Sequence, residues 1–319
     1  MNTGRRKFLL GTIAALAAPV AGLPAPALAQ QKPLRIVVPY TPGGSADIMA
    51  RAFGSHLSAR TGRTVIVENK PGATGTIGTQ AVARSAPNGE TILQSDIGPM
   101  SIQLAAGRPG YTPSDFAPVA RLVTDPVVLA TRSDSAYTSL ADIVKKAKAD
   151  PGGVSYATPG ILSHLHVAME RFAQLAGIEL NHIPYQGTGP GVVAVLAGQV
   201  DLVALPPTAL QDQSAQLRPI AVATEASLPE LPGVPTFRDG GIDLVLLGWR
   251  GLFAPKGTPP AVVSSLERAA LDAFEDAEFV AQIRKLGLTP APLGAEAFAG
   301  FWAAEREAIK PMVSRLPRN

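Results

Sequence analysis

The sequence contains no cysteine among its 319 residues. That absence excludes disulfide bonds, thiol nucleophiles, C-x-x-C redox centres and thiolate-bound metal sites. A chain of this length does not need disulfides, because it is long enough to bury a separate core in each of two lobes. Any function must therefore rest on other side chains and on the backbone.

Aromatic residues and surplus charge are also scarce. Aromatic side chains make up 5% of the chain, which argues against an aromatic-rich binding sheet. There are 28 Lys and Arg against 25 Asp and Glu, and three of the basic residues, Arg5, Arg6 and Lys7, lie in the first 29 positions. Residues 30–319 thus carry 25 charges of each sign. A neutral chain without a basic stripe gives no reason to expect nucleic acid as a partner.

The longest apolar run lies at the start of the chain. The run Phe8–Ala18 follows a basic start, and Ala27-Leu28-Ala29 precedes Gln30, so residues 1–29 are predicted to be a cleavable export signal. The paired arginines resemble a twin-arginine signal, although Gly4 stands where Ser or Thr is usual, so the general secretory route stays open. The run is shorter than the roughly 20 residues that span a bilayer, which disfavours an uncleaved anchor.

Recognisable catalytic patterns are missing. The sequence has no G-x-S-x-G, no P-loop and no H-E-x-x-H, and His164 and His166 are spaced so that they face different sides of a predicted helix. Glycines 72, 75 and 78 match a dinucleotide fingerprint only loosely. The residues therefore predict no catalytic residue, no bound metal and no cofactor.

The sequence does contain repeated units of strand, glycine-rich loop and helix. In Leu34–Gly78, one strand runs into Thr41–Gly44 before a helix, and a second strand runs into Pro71–Gly75 before another helix. Loops of this kind present main-chain N–H groups, and the positive end of each helix lies behind them. A small anion is the ligand that this arrangement favours.

A second set of such units follows. Loops at Pro159-Gly160 and at Gln186–Pro190 each end a predicted strand and open a helix. The pattern predicts an α/β protein with residues 30–125 and 246–319 in a first lobe and residues 126–245 in a second. The proline-rich stretch Ile97–Arg121 is expected to be irregular, and three helices are expected to close the chain.

Several motifs resemble those of the Bug family, the periplasmic solute-binding receptors of tripartite tricarboxylate transporters. The resemblance spans almost the whole chain after the export signal. The motifs that carry it are Val38–Asp47 with Arg51, Glu68–Gly75 with Gly78, Ala86–Thr91, Pro184–Gly187, Gly198–Asp201, Pro232–Thr236 and Ala254–Pro259.

This resemblance implies a two-lobe type II periplasmic-binding-protein fold. Each lobe is expected to be a mostly parallel sheet flanked by helices, with a ligand cleft between the lobes. The implied function is a monomeric periplasmic receptor, not an enzyme, that captures a small carboxylate and delivers it to membrane permease subunits. Two alternatives remain: a ligand sensor that feeds a signalling partner, and a periplasmic hydrolase that uses the same cleft.

Carried over motif by motif, the resemblance also implies ligand-binding residues in both lobes. The expected ligand-binding residues are Tyr40, Gly43, Gly44, Asp47, Ala73, Thr74 and Ser95 in the first lobe, and Thr158, Gly160, Ser163, Tyr185, Gly187 and Thr188 in the second. For Asp47, stabilisation of its helix alone is an equally weighted alternative to a role in shaping the pocket. Ile161-Leu162 and Leu205–Pro207 depart from the family pattern and predict a more apolar second-lobe wall. Arg250 is either a solvated surface residue or a contact for a second ligand carboxylate.

Overall fold

The computed structural model describes residues 32–314, apart from 44, 108, 212, 214 and 287. The export signal expected at residues 1–29 lies outside the described residues, as does Gly44. In the described part of the chain, no helix combines the length and the hydrophobicity that crossing a bilayer requires.

Eleven strands occur in the described residues, and they form two sheets. The strands are β1 (Leu34–Val38), β2 (Val65–Asn69), β3 (Thr91–Asp96), β4 (Phe116–Pro126), β5 (Val128–Arg132), β6 (Ser155–Thr158), β7 (Asn181–Pro184), β8 (Leu202–Leu205), β9 (Leu217–Val222), β10 (Leu247–Pro255) and β11 (Thr289–Gly294). The first sheet has the order β11-β4-β10-β3-β1-β2, and the second has the order β7-β6-β8-β5-β9.

Ten α-helices flank these sheets in the described residues. They are α1 (Ser45–Thr61), α2 (Thr76–Ala83), α3 (Gln103–Ala105), α4 (Leu140–Ala149), α5 (His164–Ala176), α6 (Thr188–Leu196), α7 (Pro207–Gln211), α8 (Pro260–Glu275), α9 (Ala277–Lys285) and α10 (Ala295–Val313). Shorter turns are a 3₁₀ helix at Ala73–Gly75, a π-helix at Gly98–Ile102 and a 3₁₀ helix at Pro113–Asp115.

The two-lobe α/β fold expected from the sequence is confirmed, but the sheets are mixed and not mostly parallel. In the first sheet, β1 is parallel to β2 and β3, whereas β10 is antiparallel to β3 and β4, and β11 is antiparallel to β4. In the second sheet, β6 is parallel to β7 and β8, whereas β5 is antiparallel to β8 and β9. Strand β4 carries the chain out of the first lobe and β10 carries it back, so these two neighbouring strands run in opposite directions.

The chain passes between the lobes at two neighbouring points. Only Val127 separates β4 from β5, and β10 begins one residue after Leu246. The amide of Ala223 donates to the Val127 carbonyl at 2.9 Å, and the amide of Leu246 donates to the Ala223 carbonyl at 3.0 Å. Two adjacent crossings joined by hydrogen bonds form a narrow connection, which is the usual arrangement for a hinge.

The hydrophobic cores follow from the sequence pattern. Met49, Phe53 and Leu57 recur every four residues along α1, and all three are buried against the first sheet. The largest buried cluster contains residues of both sheets, including Val37 of the first and Tyr156 of the second. Helix α10 contacts β4 and also reaches α5, so it links the two lobes.

Candidate functional site: a cleft between the two lobes

The candidate site lies where the carboxyl ends of the parallel strands meet. The loops after β1, β2 and β3 emerge at one edge of the first sheet, and those after β6, β7 and β8 emerge at one edge of the second. This edge is where ligands bind in open α/β sheets. A cavity of about 340 Å³, called here the cleft cavity, is lined by residues of both sets. Its lining residues are Tyr40, Thr41, Ala46, Thr74, Asp96, Gly98, Pro159, Leu162, Ser163, His164 and Arg250.

The loop before α2 has an unusual backbone. Gly72, Ala73, Thr74 and Gly75 all have positive φ, with values of 128°, 47°, 52° and 87°. Ala73 and Thr74 are L-residues in the left-handed region, which costs free energy and tends to occur at functional sites. Gly75 cannot be replaced easily, because an added Cβ would lie 2.6 Å from Cγ of Pro99.

This strained loop leaves two main-chain donors available. Gly75 donates its N–H to the Gly72 carbonyl at 3.0 Å, and the next amide, of Thr76, donates to the Ala73 carbonyl. Among the described residues, the amides of Ala73 and Thr74 have no hydrogen-bond acceptor. Both residues are exposed, and Thr74 lines the cleft cavity. An unsatisfied pair of amides at a helix start is suited to an anionic group.

Asp47 lies behind the first loop and outside the cavity lining. The residue is 3% exposed, and its carboxylate accepts hydrogen bonds from the Gly43 amide at 2.9 Å, Arg51 Nε at 3.0 Å and Asn69 Nδ2 at 3.0 Å. These donors lower the pKa of Asp47, although burial acts in the opposite direction. Asp47 therefore fixes the shape of the loop and occupies the Gly43 amide.

The floor of the cleft cavity is charged. Asp96 Oδ1 accepts from the Tyr40 hydroxyl at 2.8 Å and from the Gly98 amide at 2.8 Å. Arg250 Nη2 donates to Asp125 Oδ2 at 3.1 Å, and the Arg250 side chain is only 8% exposed. Burial raises the pKa of Asp96, whereas the Arg250 charge and the two hydrogen bonds lower it. Arg250 is thus a buried residue of the cleft, and its interpretation as a solvated surface residue is wrong.

His164 adds a further polar group to the cavity lining. Burial lowers its pKa below the ordinary histidine value, while the nearby charges of Asp125 and Asp96 raise it. Burial is the larger effect, so the imidazole is uncharged at neutral pH. Its Nε2 atom is buried and has no hydrogen-bond partner among the described residues.

Two other histidines support the second-lobe loop from beneath. His166 Nδ1 accepts the Leu162 amide at 3.1 Å, and the rings of His166 and His182 are stacked with centroids 4.0 Å apart. His182 Nε2 lies 2.7 Å from the Thr158 hydroxyl. Burial lowers the pKa of His166 to about 3 and that of His182 to about 4. Both rings therefore remain neutral and hold the loop at neutral pH.

The structure brings together only part of the expected ligand-binding set. Tyr40, Thr74 and Ser163 line the cleft cavity, and Ser163 also caps α5 by accepting the His166 amide. The remaining described members lie outside that lining: Gly43, Asp47, Ala73, Ser95, Thr158, Gly160, Tyr185, Gly187 and Thr188. Thr158 and Ser95 are each 1% exposed, and Tyr185 packs against the core of the second lobe.

Sequence reasoning missed other cavity residues. Asp96 and Gly98 were not among the expected residues, and His164 was considered only as a metal ligand. No group of three or more potential metal ligands occurs in the part of the chain that the structure describes. Asp96 is the last residue of a buried strand whose parallel neighbours end in glycine loops, and that position was the available signal for it.

A second cavity, called here the hinge cavity, lies between α10 and the chain returning to the first lobe. Its volume is about 400 Å³, and it is lined by Ile97, Glu225, Val245, Leu246, Leu247, Phe301, Glu305, Ala308, Ile309 and Met312. Glu305 accepts the Ser101 hydroxyl at 2.6 Å and the Trp249 indole N–H at 2.5 Å. Burial raises the pKa of Glu305 to about 7, even though these bonds lower it.

Comparison with known proteins agrees with this architecture. Residues 49–317 match the profile of TctC, the tripartite tricarboxylate transporter family receptor. The chain belongs to this receptor family. It is 34% identical to the protein BugT of Bordetella pertussis over 314 residues, which cover 96% of this chain and 95% of BugT. The resemblance to the Bug receptors inferred from the motifs is thereby confirmed.

Two solved structures of similar proteins share the fold over nearly their whole length. The periplasmic binding protein BugD matches with a TM-score of 0.75 at 31% identity, covering 88% of this chain and 98% of BugD. MatC from Rhodopseudomonas palustris with bound malate matches with a TM-score of 0.76 at 26% identity, covering 89% of this chain and 99% of MatC.

Proposed function

We propose that the protein is an exported receptor that captures a small carboxylate between its lobes. The observation that carries this proposal is the pair of available amides at Ala73 and Thr74, beside the cleft cavity. A carboxylate can accept several hydrogen bonds from backbone amides, and such charge-assisted bonds are about twice as strong as neutral ones. The malate bound to MatC, a small dicarboxylate, supports the same ligand class for this family member.

The proposal extends to the partner and the location. Family membership supports delivery of the ligand to the permease subunits of a tripartite tricarboxylate-type transporter. The expected export signal at residues 1–29 and the description of BugD as periplasmic support a periplasmic location, reached by the twin-arginine or the general route. The division into residues 30–125, 126–245 and 246–319 is part of the proposal, as is a monomeric state. Delivery to a signalling protein stays an alternative.

We propose no catalytic role for the cleft. A hydrolase would need an activated nucleophile that a substrate can reach. Thr158 and His182, a hydroxyl–imidazole pair on β6 and β7, do not meet this need, because Thr158 is 1% exposed and lies outside the cavity lining. Detectable turnover of the tightest-binding compound would contradict this part of the proposal.

The proposal can be tested by thermal unfolding of the chain from residue 30 onward with a panel of small acids. Because a ligand that binds only the folded state stabilises it, a carboxylate at about 100 times its dissociation constant should raise the Tm by roughly 5 °C. The control compounds are the primary amides of the same acids, which keep the carbon skeleton and lack the charge. If the amides raise the Tm as much as the acids do, the carboxylate assignment is wrong.

A further inference from the structure

The hinge cavity has the size and composition of a small-molecule site. Its volume of about 400 Å³ falls within the roughly 300–1,000 Å³ that such sites occupy. Eight of its ten lining residues are apolar, and the other two are Glu225 and Glu305. Among the described residues it shares no lining residue with the cleft cavity: Ile97 lines the hinge cavity, whereas its neighbours Asp96 and Gly98 line the cleft. The two cavities are therefore separate candidate sites.

The walls of the hinge cavity come from both lobes and from the connection between them. Half of the lining belongs to α10, Glu225 follows β9 of the second lobe, and Val245–Leu247 is the chain that returns to the first lobe. Leu247, Phe301 and Met312 are only partly buried there. A ligand that covers such apolar surface gains affinity, by about fourfold for each methylene group that it buries.

The charged residues that line the hinge cavity, within the described part of the chain, are both acidic. Glu305 accepts hydrogen bonds from Ser101 and Trp249, and a carboxylate can accept about four, so acceptor positions remain for a ligand. The guanidinium of Arg121 lies outside the lining, 4.7 Å from the centroid of the Phe301 ring. Burial outweighs its effect and raises the pKa of Glu305 to about 7. A bound cation would favour the ionised carboxylate.

We propose that the hinge cavity binds a small molecule with an apolar body and a protonated amine, and that Glu305 accepts hydrogen bonds from this amine. The apolar walls hold the body of the ligand. Glu225 is exposed at the cavity, where its negative charge attracts a cation and disfavours a carboxylate. The site goes beyond the proposed function, because it differs from the cleft cavity in position and takes a ligand of the opposite charge.

Three simple probes test the ligand class. Hexylamine and hexan-1-ol carry the same chain and differ in the charge of the head group, whereas methylamine keeps the charge and lacks the chain. In isothermal titration at about pH 8, hexylamine should bind at least about tenfold more tightly than hexan-1-ol and at least about a hundredfold more tightly than methylamine. Absence of hexylamine binding would overturn the proposal, as would equal affinity for hexylamine and either of the other probes.

The pH dependence of binding tests the role of Glu305. An alkylamine stays protonated between about pH 6 and about pH 8, as lysine does, while a carboxyl with a pKa of about 7 ionises over this range. The affinity for hexylamine should therefore rise by about tenfold from about pH 6 to about pH 8. The other charged groups around Glu305 are Arg121 on β4, Asp96 on β3, Arg306 on α10 and Glu225 across the cavity.

A Glu305→Gln variant separates Glu305 from these neighbours. It should bind hexylamine about as weakly as hexan-1-ol at about pH 8, and the rise in affinity with pH should disappear. An unchanged rise in a folded Glu305→Gln variant would overturn the assignment of Glu305. If that variant does not fold, the three-probe comparison and the pH profile of the unmodified protein still decide the question.

A pair of substitutions on α10 tests the position of the amine. Ala308 is exposed at the edge of the hinge cavity, so Ala308→Phe should fill part of the cavity and weaken hexylamine binding by at least about tenfold. The matched control is Ala303→Phe, because Ala303 is also exposed on α10 and lies outside the lining. Equal hexylamine affinity in the two variants would show that the amine binds elsewhere and would overturn the proposal.

The same variants separate this site from the carboxylate receptor. Both should bind carboxylates as the unmodified protein does, because neither residue lines the cleft cavity. If carboxylates bind and hexylamine does not, the proposed function stands and the hinge site fails. If hexylamine binds and is lost only in Ala308→Phe, while no carboxylate binds, the hinge site stands and the proposed function fails.

Discussion

At the scale of single residues, Glu305 joins three parts of the first lobe at the hinge cavity. Its carboxylate accepts hydrogen bonds from Ser101, after β3, and from Trp249, in β10, while it belongs to α10 itself. Arg121 lowers the pKa of Glu305 and Asp96 raises it, and burial outweighs both. The result is an acid with a pKa of about 7 in the folded protein, against 4.5 as its ordinary value.

This shift predicts a pH dependence of stability. Because the folded state binds the proton more tightly, Glu305 stabilises the fold below about pH 4.5, and this contribution is lost as the pH rises through about 7. The loss amounts to at most about 3 kcal/mol for a shift of this size. Glu305→Gln should therefore flatten the change in the free energy of unfolding between about pH 5 and about pH 8, as measured by urea denaturation.

A neighbouring residue on the same helix supplies the control for this prediction. The Glu307 side chain is 70% exposed and, within the part of the chain that the structure describes, forms an ion pair with Lys310 alone, so Glu307→Gln should keep the pH dependence of the unmodified protein. If the free energy of unfolding changes with pH in the same way in Glu305→Gln and Glu307→Gln, then the buried carboxyl of Glu305 is not the cause of the pH dependence.

The sequence could identify the loops of the candidate site but not the atoms that face the cavity. Glycine-rich loops after strands mark where main-chain amides are accessible to a ligand. They can be recognised in the sequence because they follow from local turn chemistry. Whether Thr158 faces the cavity or the stacked His182 depends on residues far apart in the chain, and no local pattern encodes that choice. Arg250 illustrates the same limit, since its burial depends on pairing with Asp125, 125 positions earlier.

At the scale of elements, α2 packs closely against the ends of the first two strands. A Cβ added at Gly78 in α2 would lie 2.6 Å from the Lys70 carbonyl oxygen and 2.9 Å from Cα of Pro39. Both contacts are with backbone, so the helix would have to move, and the Ala73–Gly75 loop precedes it directly. Gly300 in α10 differs, because an added Cβ would meet nothing within 4 Å there.

The two glycines should therefore respond oppositely to alanine. Gly78→Ala should destabilise the protein by about 1–3 kcal/mol through overpacking and should weaken carboxylate binding, because the loop moves with α2. Gly300→Ala should stabilise it by about 0.5–1 kcal/mol, because alanine has the better helix propensity. Urea unfolding and ligand titration of both variants check this pair. Equal stability of the two variants would contradict the close packing of α2.

The sequence predicted most helices and strands but missed β4 and β11. The stretch Ile97–Arg121 was expected to be irregular because of its prolines, yet β4 begins at Phe116 and contains Pro118. Strand β11 contains Pro290 and Pro292 and pairs with β4 at the edge of the sheet. Proline is tolerated at sheet edges and at β-bulges, where its missing N–H is not needed for a hydrogen bond to the neighbouring strand. The pairing of β4 with β10 and with β11 shows register shifts next to these prolines. The parallel strands were predictable because buried parallel strands form continuous apolar runs.

At the scale of the whole molecule, the two lobes share part of their core. The largest buried cluster includes residues of both sheets, and Ile309 and Val313 of α10 belong to it. This arrangement predicts that the lobes unfold in one cooperative transition, because separating them would expose shared apolar surface.

Two spectroscopic signals can test this cooperativity. The chain has two tryptophans, Trp249 in β10 and Trp302 in α10, so intrinsic fluorescence reports on the first lobe. Far-ultraviolet circular dichroism reports on helices of both lobes. The two urea unfolding curves should coincide within error, and a separated second transition in the dichroism signal alone would show that the second lobe unfolds independently.

The position of β10 at the centre of the first sheet also has a consequence for biosynthesis. This strand lies between β3 and β4, yet it begins at Leu247, after every strand of the second lobe has been synthesised. Until the chain has been synthesised as far as Pro255, the strand that lies between β3 and β4 is missing, so the sheet of the first lobe is incomplete. Every strand of the second lobe is therefore synthesised before the first sheet can be completed, and a truncation before residue 247, which also removes β11, leaves β3, β1 and β2 separated from a single remaining strand, β4.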